Sequence, residues 1–224
     1  MQTESPLSQS RSSIWFRANW HRVLAHGAGL VTLVWLGLDY VTQEDIFTFN
    51  RTVMLRTGSA ALLLLVASFA CTPISRLFNW QRPIQIRRAL GLYGFLYTVL
   101  HVWNYAVWES GLDWELIARD LEERRAMTVG LLALLTLIPL AATSTRGWQR
   151  RLGKRWRKLH RLVYIAVPLS VWHYLWLERD IVTMPLIFAG IVGVLLVMRV
   201  PIVRQTLRRL IDRVRYAATV QPNQ

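Results

Sequence analysis

Six apolar stretches, at residues 23–38, 57–74, 89–108, 127–144, 159–177 and 184–198, follow one another with gaps of only 6 to 18 residues. Each is 15 to 20 residues long, close to the ~20 that cross ~30 Å of hydrocarbon as a helix. None shows the polar stripe of a helix lying on a soluble core. No Gly/Ser linker or charged boundary divides the series. The chain therefore reads as an all-α membrane protein, a single bundle of six transmembrane helices whose neighbours pack antiparallel.

The gaps carry the orientation. With the N-terminus placed in the cytoplasm, residues 1–22, 75–88, 145–158 and 199–224 lie inside and hold 20 Lys+Arg against 2 acids. Residues 39–56, 109–126 and 178–183 lie outside and hold 6 Lys+Arg against 11 acids. Excess Lys and Arg on cytoplasmic loops is the positive-inside rule, and here it puts both termini in the cytoplasm. The organisation that follows is a cytoplasmic N-terminal segment (1–22), a six-helix membrane domain (23–198) and a basic cytoplasmic tail (199–224). The formal net charge of +14 is thereby explained as membrane orientation and contact with lipid headgroups. Nucleic-acid binding would need one basic face on a soluble fold, and that reading is set aside. The lone cysteine, Cys71, excludes an internal disulfide and a CxxC motif and reads as a small core residue. The outer acids, Glu122 and Glu123 among them, read as a solvated loop.

Histidines are the chemistry. His21 lies at the inner boundary and reads as solvated. His26, His101, His160 and His173 lie in or at the ends of apolar helices, where an ionisable group needs a partner and is a functional candidate by default. The third and fifth helices both run from inside to outside. His101 stands seven residues before the outer end of the third and His173 four before that of the fifth. At ~1.5 Å per residue these depths differ by about one turn. Two histidines so matched can fill both axial positions of one haem iron, which leaves no open site and suits electron transfer. His160, 13 residues before His173, suggests a second site nearer the cytoplasm, with Pro168 available to kink the helix between them. At its level stand Arg87 on the third helix and His26 on the first. Gly91 and Gly94 mark close helix packing. Trp103, Trp108, Trp172 and Trp176 read as packing residues and interfacial anchors.

Three stretches carry a family resemblance. They are Thr57-Gly58 with Thr72-Pro73; Arg87-Arg88-Ala89-Leu90-Gly91-Leu92 running to Leu100-His101; and Ala142-Thr143-Ser144 with Leu152-Gly153-Lys154, Trp156, Leu159-His160 and Tyr164, ending at His173-Tyr174-Leu175-Trp176. On these the chain, over about residues 20 to 200, resembles the MsrQ (YedZ) family, haem-binding membrane subunits related to the ferric reductase and NADPH oxidase transmembrane domains. The resemblance implies a b-type cytochrome of the bacterial inner membrane. It implies haem b held by His101 and His173, with His160 and Arg87 at a second, inner cofactor position where the wider family has another histidine pair; there His160 is a haem ligand with an unusual partner such as His26, or a contact to a propionate or a flavin. Arg87 in place of a histidine departs from that pattern. Arginine is a poor metal ligand but pairs well with a propionate or phosphate.

The resemblance also implies FMN, for which the segment 146–158, with seven cations and Trp148 and Trp156, is the local candidate. Only ~26 residues follow the last apolar stretch, too few for a dinucleotide-binding domain. Electrons therefore come from the quinol pool or a separate cytoplasmic flavin reductase. By resemblance they pass to the periplasmic molybdopterin subunit MsrP, which reduces methionine sulfoxide. The chain is then an electron-transfer subunit and not the catalytic one. Two other readings stand beside this one. One is a transmembrane reductase of ferric iron or oxygen from the same superfamily. The other is a non-redox transporter or scaffold with structural histidines, although neither repeats nor broken midplane helices are evident in the sequence.

Overall fold

The computed structural model describes residues 11–42, 45–177 and 182–220, with side chains described over 19–42, 45–177 and 182–213. Among the described residues there are helices and turns and no β-strand. The outer segment 178–183 falls largely outside them.

Helix α1 (Arg11–Thr42) and helix α2 (Ile46–Phe78) both extend well past their apolar stretches, because hydropathy reports the part that tolerates lipid and not where the backbone stops being helical. Asp45 starts α2 by accepting hydrogen bonds from the Thr48 backbone N–H at 2.9 Å and its hydroxyl at 2.7 Å, satisfying a donor that the helix leaves orphaned. Asn79, in the left-handed region at φ 53°, ends it. Helix α3 (Arg82–Asn104) opens on Pro83, which needs no N–H there, and runs into a π-helical turn at Tyr105–Glu109.

The acidic segment that follows is not a plain solvated loop. It folds into a short amphipathic helix, α4 (Trp114–Glu123), capped by Asp113. Its Asp120 is buried and accepts from the Tyr105 hydroxyl at 2.7 Å and pairs with Arg124 at 3.2 Å, while Glu122 and Glu123 stay exposed. Helix α5 (Arg125–Ala142) returns to the basic end. There α6 (Arg146–Leu152) and α7 (Lys154–Leu159) cover the segment 146–158. A 3-10 turn, His160–Leu162, leads into α8 (Val163–Leu177). Helix α9 (Thr183–Val197) is joined to α10 (Pro201–Val220) across a bend of 89°.

Helix α2 sits at the centre. One of its faces joins α1 and α3 in a core around Ala61, Leu64, Leu90 and the fully buried Tyr97. The other joins α5, α8 and α9 around Leu65, Phe69, Leu137, Val167 and Val192. Gly94 brings α3 onto Leu65, and Gly91 brings it onto Ser68, as close packing by small residues requires. Cys71 is buried and its thiol donates to the Ala67 carbonyl at 3.2 Å. His21 is also buried, against Gln85 at 2.8 Å, and so is not solvated. Its neighbour Trp20 closes over the ring edge-on.

Among the described residues, three helices are long and apolar enough to cross a membrane: residues Asn19–Thr42 of α1, α2, and α5. The bent pair α9–α10 makes a fourth if taken as one span. Only 17% of the apolar window of α1 and 28% of that of α5 is buried inside the protein, so these helices turn their apolar surface outward, as lipid-facing helices do. The third expected segment is carried by α3 with the π turn. The fifth is carried by the 3-10 turn and the 15-residue α8.

Candidate functional site

His101 on α3 and His173 on α8 come together between α2 and α5, with ring centres 6.4 Å apart and planes crossed at 81°. Each ring is anchored through Nδ1. That of His101 donates to the Met54 carbonyl at 3.1 Å, and that of His173 to the Ala126 carbonyl at 2.7 Å. A backbone carbonyl only accepts, so both rings carry the proton on Nδ1. Nε2, for which no partner occurs among the described residues, remains as a lone-pair donor. This is how proteins prepare an imidazole for a metal. Each ring also lies on a glycine of the neighbouring helix, His101 on Gly58 and His173 on Gly130.

At the basic end, His160 is built differently. Its Nε2 meets the Thr143 hydroxyl at 3.2 Å, and that hydroxyl donates to the Pro139 carbonyl at 2.6 Å. The histidine must therefore donate from Nε2, the nitrogen left free in the other pair. The Trp156 ring lies against it, centres 4.0 Å apart and planes 32° from parallel, and the Trp156 indole N–H donates to the Thr143 carbonyl at 2.9 Å. The break in the helix falls at His160–Leu162; Pro168 stays inside α8.

His160 and Trp156 line a cavity of about 290 Å³ together with Arg87, Arg88 and Arg199. Among the described residues that line it there is no carboxylate, and three arginines border the space. Arg87 is steadied by the Thr72 hydroxyl at 3.1 Å, and its carbonyl accepts from Ser68 at 2.8 Å. Arg199 arrives from the turn between α9 and α10. It stacks on Phe69 at 3.8 Å, donates to the Phe69 carbonyl, and donates to the Tyr164 hydroxyl at 2.8 Å. His26 is not part of this group; it bonds the Tyr93 hydroxyl at 3.0 Å on the exposed side of α1.

The fold brings His101 together with His173, and His160 together with Arg87, and adds to each group residues that the sequence reading does not single out. Arg199 reads as one more cation of the tail, and only the 89° bend returns it to the bundle. Gly58 enters the sequence reading only within the Thr57-Gly58 match, and Gly130 does not enter it. Trp172 and Trp176 stack on each other at 5.6 Å, and the exposed Trp103 and Trp108 lie on the apolar exterior.

Residues 57–171 match the family model described as ferric reductase like transmembrane component. A protein of Rhodospirillum rubrum, the protein-methionine-sulfoxide reductase heme-binding subunit MsrQ, is 44% identical over 190 residues, covering 82% of this chain and 89% of that protein. The chain belongs to the MsrQ family. No solved structure matches it. Membership makes it a membrane protein with the ferric reductase-like domain of redox subunits.

The haem in the relative's name can be tested against the residues present. With an imidazole–metal bond of ~2.0–2.1 Å and ~1.1 Å from nitrogen to ring centre, two rings on opposite sides of one metal stand about 6.3 Å apart. The observed 6.4 Å agrees. Among the described residues no group of three or more His, Cys, Asp or Glu could hold a bare metal ion. Two imidazoles and no more is the donor set that suits a haem, whose macrocycle supplies the other four positions. The residues fit the group.

Proposed function

We propose that this chain is a b-type cytochrome of the bacterial inner membrane that carries electrons to a periplasmic molybdopterin reductase, MsrP, for the repair of methionine sulfoxide. The observation that carries the reading is the His101–His173 pair at 6.4 Å with both Nδ1 atoms tied to backbone carbonyls. Bound between them, haem b supplies a one-electron couple.

The chain's own residues do the rest. His101 and His173 would both ligate the haem iron and leave no position open, which would favour electron transfer over binding of oxygen. The Met54 and Ala126 carbonyls fix ring tautomer and orientation and raise the basicity of Nε2. Apolar side chains of α2, α3, α5 and α8 exclude water. In this reading the domain 23–198 spans the membrane six times, segments 1–22 and 199–224 lie in the cytoplasm, and the basic end of the bundle faces inward.

The cavity at that end is where electrons enter. Arg87, Arg88 and Arg199 supply the positive field that an anionic group requires, and His160 with Trp156 supplies a flat ring surface. FMN, which the family resemblance implies, has there cations for its phosphate and a ring face for its isoalloxazine. A cytoplasmic flavin reductase or the quinol pool is the source. The test is reconstitution of the reduced, purified protein with MsrP. Adding MsrP and methionine sulfoxide together should reoxidise the cytochrome, and MsrP without substrate should do so only to the extent of its own cofactor. A cytochrome that stays reduced with both present would refute the assignment of the partner.

A further inference from the structure

The two histidines stand on one arrangement used twice. Each lies 47 residues after the residue whose carbonyl it bonds. In each case the glycine against its ring lies one helical turn beyond that carbonyl, Gly58 after Met54 and Gly130 after Ala126. The whole set recurs at a spacing of 72 residues, on α2 with α3 and on α5 with α8.

The glycine has a physical reason. In a helix the Cβ of a residue tilts toward the N-terminus and covers the turn before it. A side chain at position 58 or 130 would thus cover the carbonyl at 54 or 126. A Cβ built on Gly58 would lie 3.1 Å from His101 Nδ1, and one on Gly130 2.7 Å from His173 Nδ1. A Cβ at 130 would overlap the His173 ring, and one at 58 would press the His101 ring by a few tenths of an ångström, so the bare backbone is what lets each ring settle on its carbonyl. The ring is then confined on one side by the glycine and along its edge by the carbonyl, so both its tilt and its rotation are set.

We infer that Gly58 with Met54 and Gly130 with Ala126 are paired seats that hold the two imidazole planes crosswise, at the observed 81°, and that the glycines are positioning residues for the axial ligands. The consequence is electronic. Coplanar imidazoles split the iron dπ orbitals and give a ferric low-spin haem a rhombic EPR spectrum. Crossed imidazoles leave those orbitals nearly degenerate and give a highly anisotropic one. Ligand orientation is one of the levers by which a protein sets haem properties.

This inference rests on the assignment of His101 and His173 to one haem, and EPR separates the two. The protein is purified with its haem, oxidised, and recorded at low temperature as wild type, Gly58→Ala, Gly130→Ala and Gly193→Ala. Gly193 is a control on α9, where an added Cβ meets nothing within 4 Å. The expected wild-type spectrum is the highly anisotropic low-spin form, unchanged in Gly193→Ala. Gly130→Ala should lose it or move it toward the rhombic form, and Gly58→Ala should do the same to a smaller degree, following the two distances. A rhombic wild-type spectrum overturns the crosswise seat, and so do alanine variants with the wild-type spectrum. Absence of any bis-histidine low-spin signal from the wild type would instead remove the haem assignment beneath it. Should an alanine variant fail to accumulate, the wild-type spectrum decides by itself.

Discussion

Replacing Arg87 with alanine removes the guanidinium of one of the three arginines that line the cavity at the basic end. The group is half-buried, held at 3.1 Å by Thr72 and free to use its remaining N–H donors. A hydrogen bond to a charged partner contributes about 1.5–3 kcal/mol. At 1.4 kcal/mol per tenfold, that range is roughly tenfold to a hundred-and-fifty-fold in affinity. Arg88 and Arg199 remain, so the lower end applies, and the concentration of anionic donor at half-maximal rate should rise about tenfold. Arg87→Lys keeps the charge and loses the fork, so it should fall between. Thr72→Val keeps the guanidinium but frees it, and should cost less than Arg87→Lys. The assay is stopped-flow reduction of the haem by the donor at several donor concentrations, alongside reduction by dithionite. Dithionite reduction and the haem spectrum should be unchanged in all three variants, because His101 and His173 do not touch Arg87. Equal half-saturation in wild type and Arg87→Ala would leave Arg87 with no role beyond orienting the chain in the membrane.

The hydroxyl of the fully buried Tyr97 donates to the Gly29 carbonyl of α1. Tyr97→Phe should destabilise the docking of α1 on α3 by about 0.6 kcal/mol, the usual size of such a bond between membrane helices, as measured by unfolding in mixed micelles. Asp45 has its carboxyl pKa held below the ordinary value, first by the hydroxyl of Thr48 and then by its backbone N–H. The cap should thus be complete above the ordinary carboxylate range and lost as pH falls through the lowered pKa. NMR titration should show Thr48→Ala moving that pKa back up, and an unmoved value would discount the hydroxyl. A reporter fused after Gln224 should be active only in the cytoplasm, and periplasmic activity would invert the proposed topology.

The membrane character was legible in the sequence because lipid imposes a one-dimensional rule: apolar runs of fixed length and basic loops on one side. His101 and His173 were legible for the same reason, since depth in a bilayer can be counted along a helix. What escaped depends on approach between helices. Gly58 and Gly130 matter through rings 43 positions away, and nothing local distinguishes them from glycines that only pack helices. Arg199 is invisible as a cavity residue until the bend at the end of α9 is known. His21, polar and near a boundary, reads as solvated, yet it is buried with Gln85 as its partner. The amphipathic α4 was hidden by its density of acids, which reads as solvated loop although Leu116, Ile117 and Leu121 fall among them and Asp120 is buried against Tyr105.

The central claim is that His101 and His173 bind one iron. Difference absorbance of the purified protein, dithionite-reduced minus oxidised, tests it directly in the wild type, His101→Ala, His173→Ala and the double variant. Ligands of one metal act as a unit and their effects do not add. The wild type should show a b-type spectrum, each single variant should lose the same component of it, and the double variant should lose nothing more. Single variants that lose different components, or a wild type with no b-type spectrum after haem-supplemented expression, would contradict it.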